Sequence, residues 1–356
     1  MAKIKIAVIG VGSISEQHIA GYKNNANVEL YAFCDINEQT LKMKGEKHGI
    51  TRLYTDEKKM LEELPEIDAV SVCTWNCAHA PCTIMALEAG KHVLCEKPMA
   101  MNAEEAEKML ETAKRVGKKL MIGFVRRFGN DTAVTRDFID NGNLGEIYYA
   151  KATYLRRHGN PGGWFGDKSR SGGGPLIDLG VHVMDLTRYL MGNPKPVSVF
   201  GATFNKLGDR PGVRKKASSY RSIGATGADT CDVEDAVVAL VRYDNGAVLN
   251  LEASFTLNIK EPVGKVELFG TRGGVTLKPE FELYTDMNGY LANVQLDYPT
   301  ALSFEGLFQN EINYFVDALL NDVDTYPIAE DGIVIMKMID AIYKSANTGS
   351  EVKICF

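Results

Sequence analysis

The chain has 356 residues, 45% hydrophobic and 24% charged, which is enough apolar material for two domains with cores of their own. A net charge of -6 at pH 7 argues against a nucleic-acid binder, because neutralising a phosphate backbone takes a basic surface. No run reaches the roughly 18 apolar residues of a membrane span, no period marks a solenoid, and the lysines in the short opening run Met1–Ile9 are wrong for a signal peptide, so a cytoplasmic protein with no membrane contact is expected.

Residues Ile4 to Ile9 form an apolar, strand-like run that leads straight into Gly10, Gly12 and Ser15. The pattern is G-x-G-x-x-G with serine in the last place. The first glycine permits a tight turn, the second lets the backbone approach a pyrophosphate, and the N–H groups of the following helix start, with Ser13 and Ile14 in the turn, face the phosphates. Alone this motif is weak. It gains weight from Val28 to Asp35, a second strand ending in an acid where a dinucleotide fold places a carboxylate on the ribose hydroxyls. Ile36 offers no cation for a 2′-phosphate, so NAD is favoured over NADP. Asp35 as the cap of a helix over 37–47 is the competing reading.

Alternation continues with helices over 56–64, 80–89 and 103–115 and strands over 69–74, 92–95 and 120–124. Five strand-like runs interleaved with helices predict a doubly wound parallel sheet. Thr74, Asn76 and His79 follow the strand over 69–74, on a polar loop at the carboxyl edge of the sheet, where they can line the nicotinamide side or simply cap the next helix. Lys97, in Glu96-Lys97-Pro98, ends another buried strand at the same edge, where ligands of open α/β sheets bind. Its alternative role is an ordinary strand end pointing to water. Seven cysteines include four between 73 and 95, but the spacings do not match zinc sites and the flanks are apolar, so structural thiols and no metal are expected.

Beyond Phe124 the rhythm changes. A helix over 128–141 and a strand over 146–155 precede Arg156 to Gly166, a loop rich in glycine, cations and aromatics, including Trp164, that suits a sugar-like ligand or is a solvated turn. Pro175 then opens a helix over 176–191 whose buried stripe is Leu179, Val183, Leu186 and Leu190. Asp178, His182 and Asp185 fall on a neighbouring face, and Asp178 lies one turn from His182. A histidine with an acid beside it is a general-base arrangement; it is equally a histidine satisfied by its own helix. Strands over 197–204, 234–243, 247–255 and 263–269, with a hairpin at Asp244-Asn245-Gly246, predict a largely antiparallel open sheet. The basic stretch 207–231 is too long for a simple connection. Helices over 304–320 and 331–345 close the chain.

Taken together, Gly10-Val11-Gly12 with Asp35, Thr74-Trp75-Asn76 through His79, Ala89 through Pro98, Gly123 through Phe128 and Gly172 through Asp185 resemble the glucose-fructose oxidoreductase, inositol dehydrogenase and rhizopine-catabolism (Gfo/Idh/MocA) family over nearly the whole chain. The resemblance implies an α/β protein: a Rossmann domain over 1–123, then an α+β domain over 124–356 with a large, mostly antiparallel open-faced sheet used for homodimers or homotetramers. It implies NAD-dependent hydride transfer at a secondary alcohol or ketone carbon of a sugar, cyclitol or derivative. Lys97, Asp178 and His182 would surround that carbon, with Arg127 and Trp164 also on the substrate and Glu96 among the cofactor contacts. On this reading His182 takes the hydroxyl proton, Lys97 grips the reacting oxygen and Asp178 orients His182. One alternative is a redox-neutral enzyme with tightly held NAD that works through a transient keto-sugar; another is a non-catalytic nucleotide-binding regulator. Two departures stand out: Trp75 replaces the usual proline, and the family pattern does not account for 207–231.

Overall fold

The computed structural model describes residues 3–208, 210, 213, 221–222, 229–277 and 280–356. Most of the basic stretch singled out above lies outside the described residues. The chain divides into two compact units, Met1–Val125 with Ser303–Met336, and Arg126–Leu302 with Lys337–Phe356. A single cut at 123/124 leaves out the return of residues 303–336 to the first unit.

In chain order the first unit begins with β1 (Ile4–Ile9), α1 (Ser15–Lys23), β2 (Val28–Cys34), α2 (Glu38–His48), β3 (Leu53–Tyr54), α3 (Glu57–Glu63), β4 (Ala69–Val72), α4 (Asn76–Glu88), β5 (His92–Glu96), α5 (Ala103–Val116) and β6 (Leu120–Gly123). The helices carry their own stop and start signals. Asn37, Asp56 and Asn102 each accept an N–H in the first turn of α2, α3 and α5, and Gly49 and Gly117 take the left-handed conformation that ends α2 and α5. The six strands pair in parallel in the order β3-β2-β1-β4-β5-β6, the doubly wound arrangement. With only two residues, β3 has no apolar run to betray it.

The rest of the chain supplies α6 (Asn130–Asp140), β7 (Ile147–Leu155), α7 (Lys168–Ser171), α8 (Val181–Leu190), β8 (Pro196–Phe204), β9 (Ala236–Tyr243), β10 (Val248–Ser254), β11 (Val263–Gly270), β12 (Gly273–Leu277), β13 (Glu282–Met287), β14 (Tyr290–Val294), α9 (Phe304–Leu320), α10 (Ala329–Thr348) and β15 (Val352–Lys353). Nine strands form one sheet in the order β14-β13-β12-β11-β7-β10-β9-β8-β15, antiparallel except for the β7–β10 pair. The Asn245-Gly246 hairpin joins β9 and β10 as its turn chemistry requires, Gly246 having φ +86°. The helix expected over 176–191 is interrupted: Leu176–Gly180 is a π-helical turn, and α8 begins only at Val181. The stripe Leu179, Val183, Leu186 and Leu190 is nonetheless buried, and α8 lies against β7 and β11. Within the first unit α9 returns to pack on α1, where Gly21 leaves room for the Ile312 side chain and its carbonyl accepts from Gln309 Nε2 at 3.2 Å.

Candidate active site

The first part of the site is the turn between β1 and α1. Gly10 sits at φ +83°, and a Cβ there would come within 2.7 Å of the Cys73 carbonyl and the Thr74 nitrogen, so only glycine lets this turn lie against the end of β4. At Gly12 the space a Cβ would take is open. Ser13 and Ile14 complete the turn. Ile14, the residue before α1, gives no side-chain acceptor to the helix start, and Ser15 Oγ bonds back to Gly12 O at 2.8 Å. An open glycine beside a helix start whose N–H groups lack a side-chain cap fits a dinucleotide pyrophosphate. Asp35 closes the turn: Oδ2 accepts from Val11 N–H and Oδ1 from Asn37 N–H, each at 2.8 Å. The side-chain cap of α2 is Asn37, so Asp35 is not that cap.

The carboxyl ends of β4 and β5 are tied to one another by His79. Its Nδ1 lies 2.7 Å from the Pro98 carbonyl and its Nε2 3.2 Å from the Thr74 carbonyl. Burial pushes its pKa below the usual histidine value. His79 therefore stands between the Thr74 and Lys97-Pro98 loops with one ring nitrogen beside a backbone carbonyl of each, and the neutral ring has a single N–H to donate to one of the two. Asn76 opens α4, with Trp75 just before it and 36% exposed. Lys97, half-buried, follows directly on β5, and the Lys97–Pro98 peptide is cis.

The Glu96 side chain turns into the interior. Oε1 lies 2.8 Å from His18 Nε2, and Oε2 accepts from Lys97 N–H at 3.0 Å. His18 Nδ1 is 3.1 Å from Ser71 Oγ, which is 2.7 Å from the Tyr22 hydroxyl. This buried chain runs from α1 through β4 to the backbone of Lys97. Glu311 of α9 is fully buried, neither of its carboxyl oxygens has a hydrogen-bond partner among the described residues, and burial together with the charge of Glu96 pushes its pKa well above the carboxylate range.

In the second unit, Asp178 lies in the π-helical turn and His182 in the first turn of α8. Asp178 is buried and His182 half-buried. Glu234 holds the turn's start: its carboxylate accepts from Gly174 N–H at 3.0 Å and Leu176 N–H at 3.2 Å, while the Tyr343 hydroxyl of α10 donates to it at 2.9 Å. Burial pushes the Glu234 carboxyl above its ordinary range against the pull of those donors. Tyr154, near the carboxyl end of β7, is pushed up by burial, but the guanidinium groups of Arg126 and Arg156 outweigh that and hold its phenol below the ordinary value, with the Asp178 charge opposing them. Two guanidinium groups, a phenol and the Asp178 carboxylate thus share one neighbourhood.

Arg127 is tied to α8. Its guanidinium is fully buried and grips Asp185 of α8 through Nε at 2.9 Å and Nη2 at 2.5 Å, lying over the Tyr189 ring. A guanidinium held this way is a clasp on α8. Trp164 sits partly exposed in the short 3-10 turn Gly163–Gly166, stacked on Phe165 with ring centroids 3.9 Å apart. Its loop is held by acids that precede β9: Asp229 accepts from Gly163 N–H at 2.9 Å and Asp232 from Lys168 N–H at 2.8 Å. His18, Glu234, Tyr343 and these acids escaped sequence reading. For Glu234, Asp229 and Asp232 the acid run Asp229 to Asp235 before a strand was the one visible signal.

Residues 4–124 match the Gfo/Idh/MocA oxidoreductase family's NAD-binding Rossmann fold, and residues 132–276 match the Gfo/Idh/MocA C-terminal domain. The chain belongs to the Gfo/Idh/MocA family of oxidoreductases. It is 38% identical to D-glucoside 3-dehydrogenase of Escherichia coli, covering 99% of this chain and 97% of that one, and 28% identical to myo-inositol 2-dehydrogenase of Thermotoga maritima over 99% and 98%. Among solved structures, an oxidoreductase domain protein from Kribbella flavida superposes with a TM-score of 0.87 at 25% identity over 100% of both chains. Levoglucosan dehydrogenase in complex with NADH shares the fold, with a TM-score of 0.86 at 23% identity over 99% of each chain. Among the described residues no helix is long and apolar enough to cross a membrane.

Proposed function

We propose that the protein oxidises a secondary hydroxyl of a sugar or cyclitol ring with NAD, D-glucosides being the first substrates to try. The observation that carries this reading is the arrangement around His79. One buried ring bridges the loops after β4 and β5, so the glycine turn, which lies against Thr74, and Lys97 are held at the same edge of an NAD-binding sheet. Sequence relatives that act on a glucoside and on inositol support the substrate class.

Bound NAD supplies the hydride acceptor. The chain's own groups handle the proton and the oxygen. His182 takes the hydroxyl proton as the C–H electrons leave with the hydride, and Asp178 stabilises the resulting imidazolium. Lys97 donates a hydrogen bond to the oxygen as its charge grows, and Trp164 offers a flat apolar face to the ring. Holding these groups in place is the protein's main contribution to such a step. Val11 and Asp35 position the cofactor's adenosine end. In the same reading the protein acts in the cytoplasm as a homo-oligomer joined through the open face of its nine-stranded sheet.

The deciding experiment incubates the purified protein with methyl β-D-glucopyranoside, myo-inositol and free sugars, each with NAD and with NADP, and follows reduced cofactor. Accumulation of NADH with a sugar or cyclitol supports the proposal. Copurifying NAD that converts substrate with no net reduction points to the redox-neutral chemistry instead, and preference for NADP overturns the reading of Asp35 and Ile36.

A further inference from the structure

The turn that carries Asp178 and the approach to His182 is not capped by its own sequence. Pro175, the residue before it, supplies no side-chain acceptor. The start is held from outside by Glu234, which in turn is held by Tyr343. The glycines of Gly172-Gly173-Gly174 make this possible: a Cβ on Gly173 would collide with the Tyr343 hydroxyl, and one on Gly174 with the Glu234 backbone carbonyl.

Each residue whose N–H Glu234 grips gives its own carbonyl to a candidate site residue or to the neighbour of one. Gly174 gives its N–H to Glu234 and its carbonyl to Asp178 N–H at 3.1 Å. Leu176 gives its N–H to Glu234 and its carbonyl to Val181 N–H, the residue before His182, across the wide π spacing. A carboxylate at a helix start also meets the positive end of the helix dipole. A π turn is an uncommon geometry that needs support from its surroundings, and this one is supported at its first two free N–H groups.

We propose that Glu234, held by Tyr343, is a positioning residue that sets the direction of the turn presenting Asp178 and His182. The proposal rests on the reading of those two residues as members of the active site. The same segment extends the effect, since Asp229 and Asp232 hold the loop that carries Trp164.

The test compares wild type with Glu234→Gln, Tyr343→Phe, the double variant and His182→Ala. Ring-labelled histidine lets the six imidazoles be followed by NMR across pH, with His182 assigned from the signal missing in His182→Ala. Turnover of methyl β-D-glucopyranoside and myo-inositol with NAD gives the second readout. Glu234→Gln is expected to move the His182 titration midpoint while the other histidines stay in place. Turnover is expected to fall about 10–100-fold with an unchanged KM for NAD, the scale of a misplaced reacting group. Tyr343→Phe should move both readouts in the same direction by less, and add nothing in the Glu234→Gln background. A folded Glu234→Gln with wild-type His182 titration and turnover overturns the proposal, as does a variant in which all the histidine signals shift together. If Glu234→Gln does not fold, Tyr343→Phe decides by the same two readouts. Wild-type turnover in His182→Ala would overturn the active-site reading and this proposal with it, whereas an inactive His182→Ala beside an unaffected Glu234→Gln overturns this proposal alone.

Discussion

Glu96 and Lys97 are adjacent in the chain and opposite in environment. The strand alternates faces, so the carboxylate goes inward to His18 while the half-buried lysine follows at the sheet edge. Lys97→Met and His182→Ala are each expected to leave NAD binding near wild type, by titration calorimetry, and to lower turnover by at least about 10²-fold, the scale of lost proton handling. Glu311 gives a prediction about stability. Its folded pKa is raised well above 4.5, so the folded state keeps a proton that the unfolded state releases once pH passes that value. Stability is therefore lost as pH rises above about 4.5 toward the folded pKa. Glu311→Gln removes that dependence. It should raise the melting temperature at pH 8 and make little difference at pH 4, and an equal shift at both values would refute the assignment. Asp35 was legible from sequence because its partner, Val11, belongs to the same strand-turn-helix-strand unit. Glu311 was not, because an acid on an amphipathic helix looks solvated until the helix docks.

At the scale of elements, α8 is held at two points by groups distant in sequence. Glu234 grips the turn before it, and Arg127 grips Asp185 near its middle with both side chains at most 1% exposed. Removing one partner of a buried ion pair leaves the other charge uncompensated, so Arg127→Ala is expected to cost about 3–5 kcal/mol in denaturant unfolding. Replacing both residues with apolar ones, as in Arg127→Met with Asp185→Leu, should recover most of that loss. A double variant as unstable as the single would show that packing, not the stranded charge, sets the cost. The 3.6-residue period predicted the buried stripe of this helix correctly and missed the π turn. One extra residue in a turn leaves the composition of the apolar face unchanged, and its support comes from a carboxylate more than fifty residues away.

For the whole molecule, the return of α9 to the first unit makes that unit discontinuous. Asn25 to Asn313, at 3.0 Å, and Gln309 to Gly21 tie the two segments together. The nine-stranded sheet is covered on one face, where Gly201 of β8 lies under Ile342 of α10, and among the described residues the other face leaves apolar side chains exposed. On that face Phe200 pairs with Leu240 and their neighbours Phe204 and Val238 are also exposed, the first two at 51% and 49%. An apolar face of this kind is what the proposed homo-oligomer would bury. Light scattering should give a dimer or tetramer for the wild type and a smaller species for Phe200→Glu with Leu240→Glu. A monomeric wild type at micromolar concentration would refute the interface.

The sequence by itself determined the parallel sheet, its NAD-binding fold and the place of the glycine turn and of Lys97 at strand ends, because each of these rests on short-range pattern: apolar runs, a glycine turn, and an acid or lysine at a strand end. Only the tertiary structure decided what the buried polar groups do. His79 bridges two loops, Glu96 belongs to His18, Arg127 belongs to Asp185, and Glu234 holds the turn of Asp178. The physical reason is that a polar side chain is written into the sequence without its partner. Which backbone N–H or charge it must satisfy once water is gone depends on chain segments that meet only on folding.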